Sequence, residues 1–121
     1  MIGIDLIKTS RMNRLIERFG DKALQRFLNS DEIHLVKNYK TASGFWAAKE
    51  AVSKALGVGI GSDCNFHDIE IQKTPRGAPT LKLSKKLIDN FNIIDTSLSI
   101  THDGDYAVAV VAIESTTTNK V

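Results

Sequence analysis

Trp46-Ala47-Ala48-Lys49-Glu50-Ala51-Val52-Ser53-Lys54-Ala55-Leu56-Gly57 is the stretch that decides the fold. Alanine is the strongest helix former and Leu, Lys and Glu stand close behind it, so residues 43–56 are predicted as one long helix. Gly57, with Gly59 and Gly61 behind it, ends that helix in a loop, and residues 39–44 read as a break before it. On the helix Glu50 and Lys54 lie one turn apart on one face. Taken alone this is an ordinary surface ion pair, worth roughly 0.3–0.5 kcal/mol.

Toward the N-terminus, residues 2–7 are short and rich in Ile and Leu, which predicts a buried first strand with Asp5 near its end. Ser10 is the predicted N-cap of an amphipathic helix carrying Met12, Leu15, Ile16 and Phe19 on one face and ending at Gly20. A second short helix is expected over 21–28, and Ser30-Asp31-Glu32 forms the acidic first turn of a third. Beyond the glycines the pattern changes to alternation. Residues 66–71 and the pair Leu81 and Leu83 predict two strands joined by a turn containing Pro75, Gly77 and Pro79. Ser84 caps a short helix with Leu87, Ile88 and Phe91, and residues 98–102 and 106–113 form a hairpin about Asp103-Gly104-Asp105. From Ser115 onward the chain is polar and Thr-rich and is expected to fray. The expected fold is α+β, a small antiparallel sheet packed on a long central helix.

The 121 residues suit a single domain over 1–121, and 42% apolar with 25% charged residues is ordinary for a globular protein. Cys64 is the only cysteine, which excludes an intramolecular disulfide and a Cys-rich zinc site and fits a reducing, cytoplasmic setting. No stretch approaches the roughly 20 apolar residues of a membrane span, and no signal peptide is visible. Net charge is +2 and the pI about 8.7, a mild excess suited to an anionic partner. An RNA-binding module is the rival class, but it needs an extended basic surface with interleaved aromatics; here 16 basic residues face 14 acidic ones and aromatics are 7%.

Among candidate residues, Asp5 and Glu50 meet the needs of a magnesium site serving phosphates, which takes one or two carboxylates and completes its octahedron with substrate oxygens and waters. Gly57, Gly59 and Gly61 allow close backbone approach to an anion, although their spacing is not that of a Walker loop. His102 is a candidate phosphate contact, against the plainer reading of a solvated residue beside a turn. Ser99 with His102 lacks the nucleophile elbow of a hydrolase. Arg11, Arg14 and Arg18 form a basic ridge beside Leu15.

Gly3-Ile4-Asp5 with Arg11 six residues on, then Trp46-Ala47-Ala48-Lys49-Glu50-Ala51, Lys54-Ala55-Leu56-Gly57 and Ser99-Ile100-Thr101-His102, form a pattern that resembles the short 4′-phosphopantetheinyl transferases, the holo-[acyl-carrier-protein] synthases. The likeness runs nearly end to end. It implies the phosphopantetheinyl transferase fold and transfer of the phosphopantetheine arm from coenzyme A to a serine of apo acyl carrier protein, releasing adenosine 3′,5′-bisphosphate, in service of fatty acid biosynthesis. By the resemblance Asp5 and Glu50 hold Mg²⁺, Lys54, Gly57 and His102 contact coenzyme A, and Glu50 and Lys54 are catalytic, the proton acceptor being Glu50 or a metal-bound water. Arg11, Arg14 and Leu15, extended by Arg26, would dock the acidic carrier protein, and a homotrimer with sites between subunits is expected. Two departures stand out. Met1 replaces the first glycine of the usual Gly-Ile-Gly-x-Asp opening, which leaves the N-terminal backbone path open. Phe45 stands where a basic residue is often found, a contact that Lys37, Lys40 or Lys49 would have to supply.

Overall fold

The computed structural model describes residues 1–116. Its elements are β1 (Ile2–Lys8), α1 (Thr9–Phe19), α2 (Asp21–Gln25), α3 (Ser30–Ile33), α4 (Tyr39–Ala55), β2 (Ile69–Lys73), β3 (Pro79–Leu83), α5 (Lys85–Phe91), β4 (Ile93–Asp103) and β5 (Tyr106–Ser115). β1, β5 and β4 form an antiparallel sheet in that order, and β2 pairs with β3 in a separate two-stranded one. The fold is α+β, with α4 lying across the inner face of the larger sheet.

The close seating of α4 follows from small residues on both surfaces. Ala47, Ala48, Ala51 and Val52 are buried on the helix, and Ala107, Ala109, Val111 and Ile113 on β5. Gly3 on β1 makes the tightest contact, because a Cβ there would lie 1.9 Å from the carbonyl oxygen of Ala51 and 2.7 Å from the amide nitrogen of Ala55. Any side chain at position 3 would push the strand off the helix. The N-terminal backbone is regular despite the missing first glycine: Met1 exchanges hydrogen bonds with Ile113, its ammonium donating to the Ile113 carbonyl at 2.7 Å and its own carbonyl accepting from the Ile113 amide at 2.7 Å.

Several local expectations are corrected. Residues 39–44 are not a break; α4 starts at Tyr39 because the Asn38 side chain accepts from the amides of Lys40 and Thr41 at 2.9 and 3.2 Å. Gly44 sits within the helix because a Cβ would come 2.9 Å from Ile100 Cγ2. Ser10 does not cap α1, which begins at Thr9 after Lys8 with no side-chain cap. Phe19 is 45% exposed rather than on the buried face. The second helix stops at Gln25. Residues 66–68 form a 3₁₀ turn, not strand, since Asn65 accepts from the amides of His67 and Asp68 and draws the chain into a capping box. β4 starts at Ile93, immediately after Asn92 closes α5 in the left-handed region at φ 55°. Ser115 ends β5 with its hydroxyl donating to the Phe91 carbonyl at 2.9 Å; the rest of the expected frayed tail, from 117 on, lies outside the described residues. The β4–β5 turn is Gly104-Asp105 with Gly104 at φ 57°, the glycine-first arrangement that suits a two-residue hairpin.

Candidate active site

β1 turns Gly3, Asp5 and Ile7 toward α4 and leaves Ile2, Ile4 and Leu6 on the other face. With Gly3 seated on Ala51, Asp5 arrives beside the last turns of the helix. Its Oδ1 accepts from Lys54 Nζ at 2.8 Å, and the Asp5 side chain is 13% exposed against 53% for Lys54. Lys54 thus pairs across to the strand and not back along the helix to Glu50. That hydrogen bond raises the Lys54 ammonium above its ordinary range, with the charges of Asp5 and Glu50 adding to it.

Glu50 lies half-buried in the same cluster. Burial pushes its carboxyl above the ordinary glutamate range and the charge of Asp5 pushes it further, while Lys54 and Arg11 pull the other way. Two carboxylates that repel each other at the mouth of a sheet and helix are a hard oxygen donor set, which a divalent cation would relieve. No group of three or more His, Cys, Asp or Glu side chains suited to a metal occurs among the described residues, so a cation at this place would rest on Asp5 and Glu50 and on ligand oxygens.

Arg11, near the start of α1, is the more weakly acting of the two cations that hold the Glu50 carboxyl down. Arg11, Arg14, Leu15, Glu17, Arg18 and Phe19 line a surface groove of about 660 Å³, three cations against one carboxylate, with the Arg18 guanidinium over the Phe19 ring at 5.2 Å. Arg26 is at the end of α2 and does not line this groove.

The other sequence candidates are dispersed. Gly57 and Gly59 exit the helix at φ 77° and 69° with open space where a Cβ would be. The amides of Gly57 and Gly59 donate to Lys54 and Ser53 carbonyls, and that of Gly61 to the Cys64 carbonyl, so what the glycines offer an anion is room and not free N–H groups. His102 is at the far end of α4: its Nε2 meets the Lys40 carbonyl at 2.9 Å. Ten residues of helix separate Lys40 from Glu50, a rise of about 15 Å. Ser99 and His102, three apart on β4, face opposite sides of the sheet. Cys64 is buried, and that burial pushes its thiol up to about 11.

Lys49 is corrected as a phosphate contact. It is wholly buried, and its ammonium donates to Glu32 Oε1 at 2.8 Å, the Phe27 carbonyl at 2.7 Å and the Phe66 carbonyl at 3.0 Å. Glu32 in turn accepts from the Asn29 amide at 2.9 Å and, through Oε2, from the Ile71 amide at 2.7 Å. Burial lowers the Lys49 ammonium and the Glu32 and Glu70 charges hold it up; with all three of its protons donated, the charged form is the one the geometry serves. The sequence reading missed this pair. Its one local signal was the Asn29-x-x-Glu32 spacing of a capping box, which the structure contains.

Residues 1–111 match the family model of the 4′-phosphopantetheinyl transferase superfamily. The chain is 68% identical over its whole length and that of its relative to the holo-[acyl-carrier-protein] synthase of Sulfurimonas denitrificans. It is 54% identical to that of Aliarcobacter butzleri, over 92% of this chain and 94% of that one. The crystal structure of the Helicobacter pylori holo-[acyl-carrier-protein] synthase in complex with coenzyme A superposes with a TM-score of 0.91 at 47% identity, covering 94% of this chain and 100% of that one. The chain, an α+β enzyme with a paired carboxylate cluster at the end of its central helix, belongs to the 4′-phosphopantetheinyl transferase superfamily, among the holo-[acyl-carrier-protein] synthases.

Proposed function

We propose that this chain, as one transferase domain over residues 1–121, moves the 4′-phosphopantetheine arm of coenzyme A to a serine of apo acyl carrier protein in a Mg²⁺-dependent reaction, releasing adenosine 3′,5′-bisphosphate and serving cytoplasmic fatty acid biosynthesis. The observation that carries the reading is the cluster of Asp5, Glu50 and Lys54, two mutually repelling carboxylates and a cation brought together by β1 and α4.

Asp5 and Glu50 would hold the metal, which when bound supplies charge neutralisation on the diphosphate. Lys54 lies on the same helical face as Glu50 and is the exposed member of its ion pair; exchange of Asp5 for a phosphate oxygen keeps its charge paired. Glu50, with its proton affinity raised by burial and by Asp5, is the acceptor on this chain for the serine proton. The serine oxygen forms its bond to the β-phosphorus as the bond to the bridging oxygen breaks, and the leaving group departs as the bisphosphate. The Arg11–Arg14–Leu15 groove, whose Arg11 also acts electrostatically on Glu50, fits an acidic carrier protein, and Arg26 would add positive charge on α2.

The homotrimer belongs to the same proposal. Ile2, Ile4 and Leu6 are 71, 58 and 59% exposed, and Ile4 stands directly opposite Val110 on β5, itself 38% exposed. This apolar half of the outer sheet face supports burial against further copies of the chain. Among the described residues no helix is long and apolar enough to cross a membrane.

Intact mass of apo acyl carrier protein after incubation with this protein, coenzyme A and Mg²⁺ tests the reading. A gain of about 340 Da, abolished by chelator, is expected; a folded protein that gives no gain with several carrier proteins overturns it.

A further inference from the structure

Two cations on α4 differ in their freedom to move. Lys49 is wholly buried and donates to three acceptors, whereas Lys54 is exposed and, among the described residues, its ammonium donates only to Asp5 Oδ1, at 2.8 Å. Lys54 can therefore leave its partner without stranding a buried charge. Asp5 has no such freedom. Its side chain is mostly buried, and its strand is held to α4 at Gly3, where a Cβ would lie 1.9 Å from the Ala51 carbonyl oxygen. Among the described residues no other side chain donates to the Asp5 carboxylate.

Asp5 thus has two claimants. Lys54 holds it in the fold, and a divalent cation resting on Asp5 and Glu50 needs the same carboxylate. Even on separate oxygens, an ammonium and a divalent cation repel each other across one carboxylate. Among the described residues the acidic groups whose charge acts on Lys54 are Asp5 and Glu50, and such a cation would engage both. A displaced ammonium is then paired again only by an incoming anion. The diphosphate of coenzyme A is one, and its charged oxygens accept from an ammonium as a carboxylate does. A cation without the diphosphate would add positive charge beside Lys54. The diphosphate without a cation would add negative charge beside two carboxylates that already repel each other.

We propose that Lys54 competes with the divalent cation for Asp5, so that the cation and the coenzyme A diphosphate bind cooperatively: the phosphate draws Lys54 off Asp5 and frees that carboxylate for the metal. By linkage, the gain in affinity is the same factor whichever ligand binds first. Lys54 then does more than contact phosphate. It weakens the hold of the paired carboxylates on hard cations until the coenzyme is there to share them. This competition rests on the metal and coenzyme readings above.

Mn²⁺, which suits the same hard oxygen donors as Mg²⁺, is the probe, with its free concentration read by electron paramagnetic resonance. Carrier protein is left out, so that no turnover intervenes. Wild type, Lys54→Met, Lys54→Arg and Arg11→Gln are titrated alone and with saturating coenzyme A. Alone, Lys54→Met should bind Mn²⁺ about fivefold more tightly than wild type, the upper end for release from a part-exposed ion pair. Lys54→Arg, which keeps the pair, should match wild type. Coenzyme A should tighten Mn²⁺ binding by a larger factor in wild type than in Lys54→Met. A Lys54→Met variant that binds Mn²⁺ alone no more tightly than wild type overturns the competition. So does an equal gain in Arg11→Gln, since the loss of any nearby positive charge would then suffice. Failure of the metal reading beneath it has a different signature: wild type that takes up no Mn²⁺ even with coenzyme A, or uptake undiminished by Asp5→Asn with Glu50→Gln.

Discussion

Removing the Lys49–Glu32 pair altogether, in Glu32→Leu with Lys49→Met, should leave the protein markedly less stable than wild type, contrary to the common outcome for buried ion pairs. Replacing such a pair by apolar side chains of similar volume is often neutral or stabilising, because two desolvated charges are removed together. Here the charges also serve the backbone. Lys49 donates to the Phe27 carbonyl, and Glu32 accepts from the Asn29 amide and from Ile71 on the β2 edge that is not paired with β3. The Phe66 carbonyl keeps a second partner, the Ile69 amide, so three backbone groups are stranded. At about 1–3 kcal/mol each, the double variant should lose at least about 3 kcal/mol. Lys49→Met alone, which leaves a buried carboxylate uncompensated, should lose about 3–5 kcal/mol. A 121-residue domain has roughly 6–18 kcal/mol in total, so either loss is large. Urea unfolding at fixed protein concentration reads it through Trp46, the only tryptophan, whose ring is 5.2 Å from Phe27 and 4.8 Å from Phe66, the residues whose carbonyls Lys49 binds. With a slope of about 2 kcal/mol/M the double variant's midpoint should fall by about 1.5 M. A double variant that unfolds at the wild-type midpoint would refute the reasoning, since the pair would then be no more than two charges that cancel.

Glu50→Gln should fold normally and lose on the order of 10²-fold or more in metal-dependent transfer, and near-normal turnover would remove Glu50 from the site. Because burial and Asp5 raise its proton affinity, wild-type activity that needs the ionised form should fall as pH drops through a value above the ordinary glutamate range, and excess Mg²⁺ should move that limb to lower pH; a pH–rate profile flat down to the ordinary range contradicts this. Gly3→Ala meets the backbone of α4 at 1.9 Å and should both lower the melting temperature by several degrees and depress kcat as Asp5 is displaced, whereas a wild-type melt and kcat would show that strand and helix adjust freely. Arg11→Glu should raise KM for the carrier protein and flatten its dependence on salt, measured from low to physiological ionic strength; an unchanged KM would take Arg11 out of the docking groove.

How far the sequence was readable depends on whether a residue's environment is local. The body of α4 was, because alanine favours helix whatever surrounds it, and so was the glycine exit; Asp5, 49 positions from Lys54, was joined to Glu50 and Lys54 only through the family resemblance. The start of α4 was not readable. Gly44 and Thr41 weaken helix on propensity, and what overrides them is the Asn38 cap together with packing against Ile100, a residue more than fifty positions away whose Cγ2 would lie 2.9 Å from a Cβ at position 44. At 66–68 an alternating pattern gave way to the Asn65 side chain, which competes locally for the backbone. Lys49 read as a surface base because nothing near it in sequence announces Glu32.

Lys49 and Glu50 are neighbours in sequence with opposite surroundings, and this difference orients the site. Eight of the eleven buried residues of α4 are alanine, serine or glycine, which leaves its rotation to the few larger side chains and to close backbone approaches. In α4 that rotation is constrained at three levels: Gly44 against Ile100 and His102 at one end, Lys49 into Glu32 and two carbonyls at the middle, and Ala51 and Ala55 against Gly3 near the other. Successive residues point about 100° apart, so fixing Lys49 inward toward α3 and β2 fixes the direction of Glu50 beside Asp5. A buried ion pair is a weak source of stability but a directional one, tolerating neither rotation of the helix nor a register shift without stranding a charge. The buried charge therefore acts as the key that sets the phase of α4, and the carboxylate next to it in the chain meets β1 as a consequence.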